Sequence, residues 1–98
     1  MAELAEASSS AEKIELTNNL DVYPNPTSGR LFIEYSGLPT GALKVDIVDI
    51  QGKLVFELPV QERSGQGKIQ IEPEVGPGVY FLRLHAGDKM RTSRFVVQ

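Results

Sequence analysis

The sequence predicts an all-β fold, and three observations lead to that prediction. From residue 20 onward, short β-rich runs are separated by Gly and Pro signals about every 8 to 12 residues. Apolar and polar residues alternate within these runs, and no stretch keeps a helical period free of Gly or Pro beyond a turn or two. About seven antiparallel strands with polar outer faces bury their apolar faces best when they form two packed sheets, an immunoglobulin-like β-sandwich. A small open barrel is the alternative.

Three candidate strands lie in the first half of the chain. The first begins at Leu20 and ends at Pro24 to Gly29, because proline cannot donate to a β-ladder and glycine permits a tight bend. The second and third are separated by the turn residues Gly37 to Gly41. Their apolar positions at period two, expected in the core, are Leu31, Ile33 and Tyr35, then Leu43, Val45 and Ile47.

Four further strands follow in the second half. Gln51-Gly52 is predicted as a two-residue hairpin turn, in which glycine takes a positive φ. The apolar faces of the next three runs are Leu54, Phe56 and Leu58, then Ile69 and Ile71, then Tyr80, Leu82 and Leu84. Arg83 and His85 are expected to point away from the core. In the last run, Lys89 to Gln98, three adjacent apolar residues indicate that both faces are covered near its end.

Charge divides the chain of 98 residues into two parts. Residues 1–19 hold four glutamates and one lysine, a net charge of −3, and few large apolar groups, which predicts a flexible acidic linker. Residues 20–98 hold nine acids and nine bases and form the single predicted domain. A neutral domain argues against nucleic acid as a partner, because binding phosphates requires a basic excess. The acidic start does not resemble a secretory signal.

Nothing in the sequence indicates catalysis, a bound metal or a cofactor. There is no cysteine, and the only histidine, His85, is interpreted as a solvated strand residue. No serine lies in a Gly-x-Ser-x-Gly elbow. Asp46 and Asp49 are expected on opposite faces, and a calcium cage formed with Asp21 does not match the spacing of an EF-hand loop. We therefore expect the chain not to be an enzyme.

The last two predicted strands carry a basic patch. Residues 83–98 contain four Lys or Arg residues and one Asp, a net charge of +3. Lys and Arg on an edge strand discourage pairing between sheets, so edge protection and a docking surface are both open interpretations. Exposed edge strands also leave open a homodimer formed by edge pairing or strand swapping.

Three motifs occur in order along residues 20–98. Val22 to Gly29 read VYPNPTSG, similar to a Y-P-N-P-x-x-G opening. Val48 to Val55 read VDIQGKLV, like a central D-x-x-G-K hairpin. Gly76 to Leu84 read GPGVYFLRL and precede Gly87 to Lys89, like a G-x-Y-x-L closing hairpin. Together they resemble the C-terminal sorting domain of the type IX secretion system, the Por system of Bacteroidota.

This resemblance implies a function in protein transport. Members of the family are appended to a larger N-terminal cargo, which reaches the periplasm by its own signal peptide. The outer-membrane translocon recognises the sorting domain, and a sortase-like cysteine protease then removes it at the cell surface. The expected location is the periplasm in transit, then the outer-membrane surface or the extracellular space of a Gram-negative bacterium of the Bacteroidota type. Cleavage is expected in residues 1–19.

The resemblance also assigns residues by position. The residues implied in translocon recognition are Gly78, Tyr80, Gly87, Lys89, Arg94, Val96, Val97 and Gln98. Those implied in shaping the turns are Tyr23, Pro24, Asn25, Pro26, Gly29, Asp49 and Gly52. The alternative function is an accessory adhesion or carbohydrate-binding sandwich of a surface protein, for which Phe81 is the best outward-facing aromatic residue.

Overall fold

A computed structural model describes residues 20–98, apart from the side chains of residues 61–63. The predicted linker, residues 1–19, lies outside the described residues. Seven strands connected by turns make up the described part, and no helix there could cross a membrane. The strands are β1 (Leu20–Tyr23), β2 (Leu31–Tyr35), β3 (Gly41–Asp49), β4 (Leu54–Arg63), β5 (Gly67–Ile71), β6 (Gly78–Ala86) and β7 (Lys89–Val97). Each connection coincides with one of the predicted Gly and Pro signals.

The strands form two antiparallel sheets, which confirms the sandwich and rejects the open barrel. One sheet has three strands in the order β1-β2-β5, and the other has four in the order β4-β3-β6-β7. β3 occupies an inner position because it pairs with β4 through a short hairpin and with β6 through a longer crossover. β6 and β7 form a hairpin paired from Gly78 and Val97 to Ala86 and Lys89.

The core lies between the two sheets. Alternation places the predicted apolar faces there, and the burial values agree for β2, β3, β5 and the buried part of β6. The largest fully buried side chain is Phe95 in β7, which is 0% exposed. The other side chains with 0% exposure are Leu31, Ile33, Val45, Ile47, Leu82 and Leu84. Burial of these groups is the main favourable contribution to folding.

Leu54 does not join the core, contrary to the predicted face of β4. The register between β3 and β4 shifts between Ile47 and Val48, so Ile47 pairs with Phe56 while Val48 pairs with Leu54. A shift of one residue moves side chains to the opposite face. Leu54 is consequently 48% exposed, and Val55 packs against the core in addition to Phe56.

The turn between β3 and β4 is longer than the predicted two residues. Backbone bonds of 3.0 Å from Asp49 N to Lys53 O and from Gly52 N to Asp49 O close a loop of residues 50–52. Gly52 has φ 85°, as such a loop requires at its last position. The carboxylate of Asp49 accepts the N–H groups of Gln51 and Lys53 across this loop, each at 2.9 Å.

Candidate functional site

The residues assigned to recognition all lie on the β6–β7 hairpin, but at its two ends. Gly87 forms the hairpin turn with φ 62°, and Lys89, the first residue of β7, is exposed. The remaining residues lie at the opposite end, where Gly78 pairs with Val97. β7 has nine residues, so its two ends lie roughly 25 Å apart. The structure therefore places them in two surfaces rather than one site.

At the second end, several of these residues support the fold. The ring of Tyr80 stacks on that of Phe95, with centroids 5.8 Å apart, and its hydroxyl donates to the carbonyl of Gly76 at 2.7 Å. Val97 is only 7% exposed. The exposed members of the whole set are Gly87, which has no side chain, and Lys89, Arg94 and Gln98. Only the last three can offer most of their side chains to a partner without rearrangement.

The opening motif pairs with the last strand. We call residues Asn25 to Thr27 the clamp. The Asn25 side chain accepts the N–H of Val96 at 3.0 Å and donates to the carbonyl of Arg94 at 3.3 Å. The backbone of Thr27 donates to Val96 O and accepts from Gln98 N, both at 2.9 Å. Four hydrogen bonds thus extend the sheet beyond β7, and the opening motif and the last strand form one structural unit.

The local sequence explains the shape of the clamp. Pro24 and Pro26 lack an N–H group, so neither competes for the acceptors of β7. Thr27 is 1% exposed, and its hydroxyl donates to Arg30 O at 2.6 Å and accepts from Gly29 N at 3.1 Å. Sequence reasoning did not single out Thr27. The sequence signal that could have identified it is a hydroxyl residue two positions before a glycine, because the side chains of such residues form hydrogen bonds within their own turn.

A buried carboxylate lies on the outer face of the four-stranded sheet. Asp46 is 2% exposed, although alternation correctly places it on the face away from the core. Arg83 donates through Nε and Nη2 to its two oxygens, at 2.6 and 3.2 Å, and His85 Nε2 lies 2.9 Å from Oδ2. Because a carboxylate only accepts, His85 Nε2 carries the proton.

These contacts correct the interpretation of His85 as a simple solvated residue. Its side chain is 30% exposed and is hydrogen-bonded to Asp46. The sequence could not reveal this pairing, because the two residues are 39 positions apart and meet only through the register of β3 and β6. Within residues 20–98, no three His, Cys, Asp or Glu residues converge in a way that could hold a metal ion. The considered cage of Asp21, Asp46 and Asp49 is therefore not formed.

Comparison with known families identifies the domain. The family model described as "Secretion system C-terminal sorting domain" matches residues 21–98. The chain belongs to this family. The match covers all seven strands except the first residue of β1, and it confirms the resemblance to type IX secretion sorting domains. Proteins carrying this domain are exported to the cell surface or the extracellular space in Bacteroidota.

The fold comparison agrees with the architecture of the sorting domain. A crystal structure of a DUF3244 family protein from Bacteroides vulgatus, described as an immunoglobulin-like β-sandwich, is similar with a TM-score of 0.61. It is 19% identical, and the alignment covers 81% of this chain and 94% of that chain. At this identity the likeness concerns the fold alone. No curated protein matches the sequence.

The pKa of Asp46 in the sorting domain is lowered from 3.8. Burial acts to raise it, but the hydrogen bonds and positive charge of Arg83 and His85 together outweigh burial. A carboxyl group with a lower pKa in the folded state stabilises that state above its unfolded pKa. The contribution is lost as pH falls through the folded pKa.

Asp46→Asn should therefore lower the free energy of unfolding at neutral pH. In acid, the difference in free energy of unfolding between the variant and the wild type should become smaller. We expect a loss of about 1–2 kcal/mol, since Arg83 and His85 are 35% and 30% exposed and solvent screens them. Urea unfolding from neutral pH to below 3.8 measures this. Asp88→Asn, at an exposed turn residue, is the control for net charge. A constant difference across the pH range would contradict the assignment.

Asn25→Ala should destabilise the sorting domain by about 1–2 kcal/mol, because it removes two side-chain bonds to the β7 backbone. Asn25→Asp keeps the acceptor for Val96 N but loses the donor to Arg94 O, so it should cost less. Thermal unfolding of both variants measures which of the two is less stable. Ser28→Ala, at an exposed position in the same segment, is the control. Equal stability of Asn25→Ala and the control would contradict a stabilising clamp.

Tyr23 lies on the outer face of the three-stranded sheet. Its ring stacks on that of Phe32, its partner in register, with centroids 5.6 Å apart, and its hydroxyl donates to Glu34 at 2.9 Å. The ammonium group of Lys68 lies 4.9 Å from the Phe32 ring centroid. Tyr23 therefore packs across the sheet.

Proposed function

We propose that residues 20–98 act as a removable recognition domain that directs an N-terminal cargo from the periplasm through the type IX outer-membrane translocon. A sortase-like cysteine protease at the cell surface then cleaves within residues 1–19. The role involves recognition and no catalysis. The family match over residues 21–98 is the observation that supports this function most directly.

The geometry supports β7 as the recognised element. The clamp ties the opening motif to Val96 and Gln98, so the opening motif and the end of β7 present a common surface. Arg94 and Gln98 are exposed there, and Lys89 is exposed at the turn. Of the proposed recognition residues, we assign direct contact to these three. Gly78, Tyr80, Gly87 and Val97 hold the hairpin in shape, and Val96 is held by the clamp.

A fusion experiment tests the proposal. Residues 1–98 are placed behind a periplasmic reporter in a host that has a type IX system. We expect the reporter in the medium or on the cell surface, and N-terminal sequencing of the released domain should place the cut before Leu20. A reporter retained in the periplasm would exclude a sorting function.

Point variants then separate recognition from stability. Arg94→Ala and Lys89→Ala should reduce export while changing the melting temperature little, because both side chains are exposed. Arg30→Ala and Lys44→Ala, at exposed basic residues outside the hairpin, are the matched controls. Deleting Val96 to Gln98 should block export, but it also removes the bonds to the clamp and the buried Val97, so the point variants are more informative.

A carbohydrate-binding role is the second candidate. The stacked pair Tyr23 and Phe32 favours it, because half-exposed aromatic rings can pack against a sugar. An open cleft of about 500 Å³ beside Glu34 and Lys68 adds polar groups. Glycan-array binding that is lost in Phe32→Ala and kept in Phe81→Ala would support this face; loss in Phe81→Ala would indicate the opposite face. No binding would exclude the candidate.

A further inference from the structure

The outer edge of β7 is only partly occupied. β7 is the last strand in the order β4-β3-β6-β7, so β6 satisfies one of its edges. Among residues 20–98, the hydrogen bonds along the other edge come from the clamp, which reaches Arg94, Val96 and Gln98. The stretch 89–93 extends the same edge, and no strand of the described residues is hydrogen-bonded to it there, although β1 of the other sheet approaches β7.

The hydrogen bonds of the clamp show which backbone groups face outward. Val96 uses both its N–H and its carbonyl toward the clamp, and the carbonyl of Arg94 accepts from Asn25. In an antiparallel pair, every second residue directs its backbone groups to the same edge. Thr92 and Met90 therefore direct N–H and carbonyl groups outward as well. A row of such groups is a template for pairing with another strand.

The charge of this edge favours an acidic partner strand. β7 contains Lys89, Arg91 and Arg94 and no acidic residue. The Nε of Arg91 is buried with no hydrogen-bond partner. Two copies of β7 side by side would bring like charges together, which disfavours self-pairing. An extended segment with Asp or Glu residues would neutralise the edge and form backbone bonds to it.

We propose that an extended acidic segment of the type IX translocon binds the domain by adding a β-strand to β7 along residues 89–93, adjoining the clamp. The proposal rests on the sorting function given above and specifies its mode of recognition. The clamp closes the end of the edge from Arg94 to Gln98 and so sets where the added strand can begin. Backbone bonds supply affinity, and the acidic side chains supply selectivity.

Thr92→Pro tests the added strand. Proline removes the outward N–H of Thr92 and leaves the bonds to β6 intact, because an edge strand tolerates proline where the N–H faces solvent. Thr92→Val, which keeps the N–H, is the matched control. We expect export of the reporter fusion to fall about tenfold in Thr92→Pro, since backbone pairing is interrupted, and to stay at the wild-type level in Thr92→Val.

The outcomes distinguish this inference from the sorting function. If the wild-type fusion is not exported, the sorting function fails first. If Thr92→Pro is exported normally while Arg94→Ala is not, side chains carry recognition and strand addition is wrong. Should Thr92→Pro fail to fold, amide hydrogen exchange of the wild-type domain with purified translocon decides. The Thr92 and Met90 amides should be protected in the complex, and unchanged exchange would overturn the proposal.

Self-pairing is tested on the domain alone. Size-exclusion chromatography at increasing concentration should give a monomer, because of the charge on β7. A dimer in which the Thr92 amide is protected from exchange would overturn the proposal and assign this edge to a second copy of the chain.

Lys89→Glu should weaken binding to purified translocon, and an unchanged affinity would contradict an acidic partner strand.

Discussion

Phe95→Ala is expected to lower the free energy of unfolding by about 3–5 kcal/mol, which removes most of the stability of a domain of this size. Phe95 is the largest side chain with 0% exposure, and its ring also stacks on Tyr80. Its loss leaves a cavity where β7 meets the core. Because Arg94 and Val96 flank it, the recognition surface should be lost together with the fold. Urea unfolding measures the change.

Phe81→Ala is the matched control for this prediction. Phe81 pairs with Arg94 on the outer face of the same hairpin and is half-buried rather than buried. We expect a loss of about 1–2 kcal/mol, in proportion to the smaller apolar area that it removes from water. An equal effect of the two substitutions would contradict the assignment of inner and outer faces in β6 and β7.

Gly65→Ala is expected to destabilise the domain by at least about 2 kcal/mol, through a steric clash in a loop. A Cβ at Gly65 would overlap the backbone carbonyl of Leu38. Leu38 N donates to Gly65 O at 3.1 Å, and Leu38 is 7% exposed, so the two loops cannot separate without breaking that bond and uncovering the core. The melting temperature of the variant measures the effect.

Gly76→Ala provides the control, because a Cβ there meets no atom within 4 Å. Its effect should stay within about 0.5 kcal/mol, as for most surface substitutions. If both variants are equally stable, the loops carrying Leu38 and Gly65 do not approach as closely as the structure places them.

Local features of the sequence predicted most of the architecture. Gly and Pro interrupt the chain at every connection between strands, because proline cannot donate to a ladder and glycine permits the bends. Alternation then assigned the buried faces of β2, β3 and β5. The prediction failed at Leu54, where a register shift between paired strands moved the side chain to the outer face. Such a shift depends on how β3 and β4 align, which alternation within β4 does not encode.

The sequence by itself determined an all-β sandwich, the order of its turns, the absence of cysteine chemistry and, through three motifs, membership in the sorting-domain family. Tertiary structure decided which distant residues meet. Asn25 reaches Val96 across 71 positions, and Asp46 reaches His85 across 39. Period-two patterning defines the face on which a side chain lies, but contacts between strands depend on sheet order and register, which arise only when the whole chain packs.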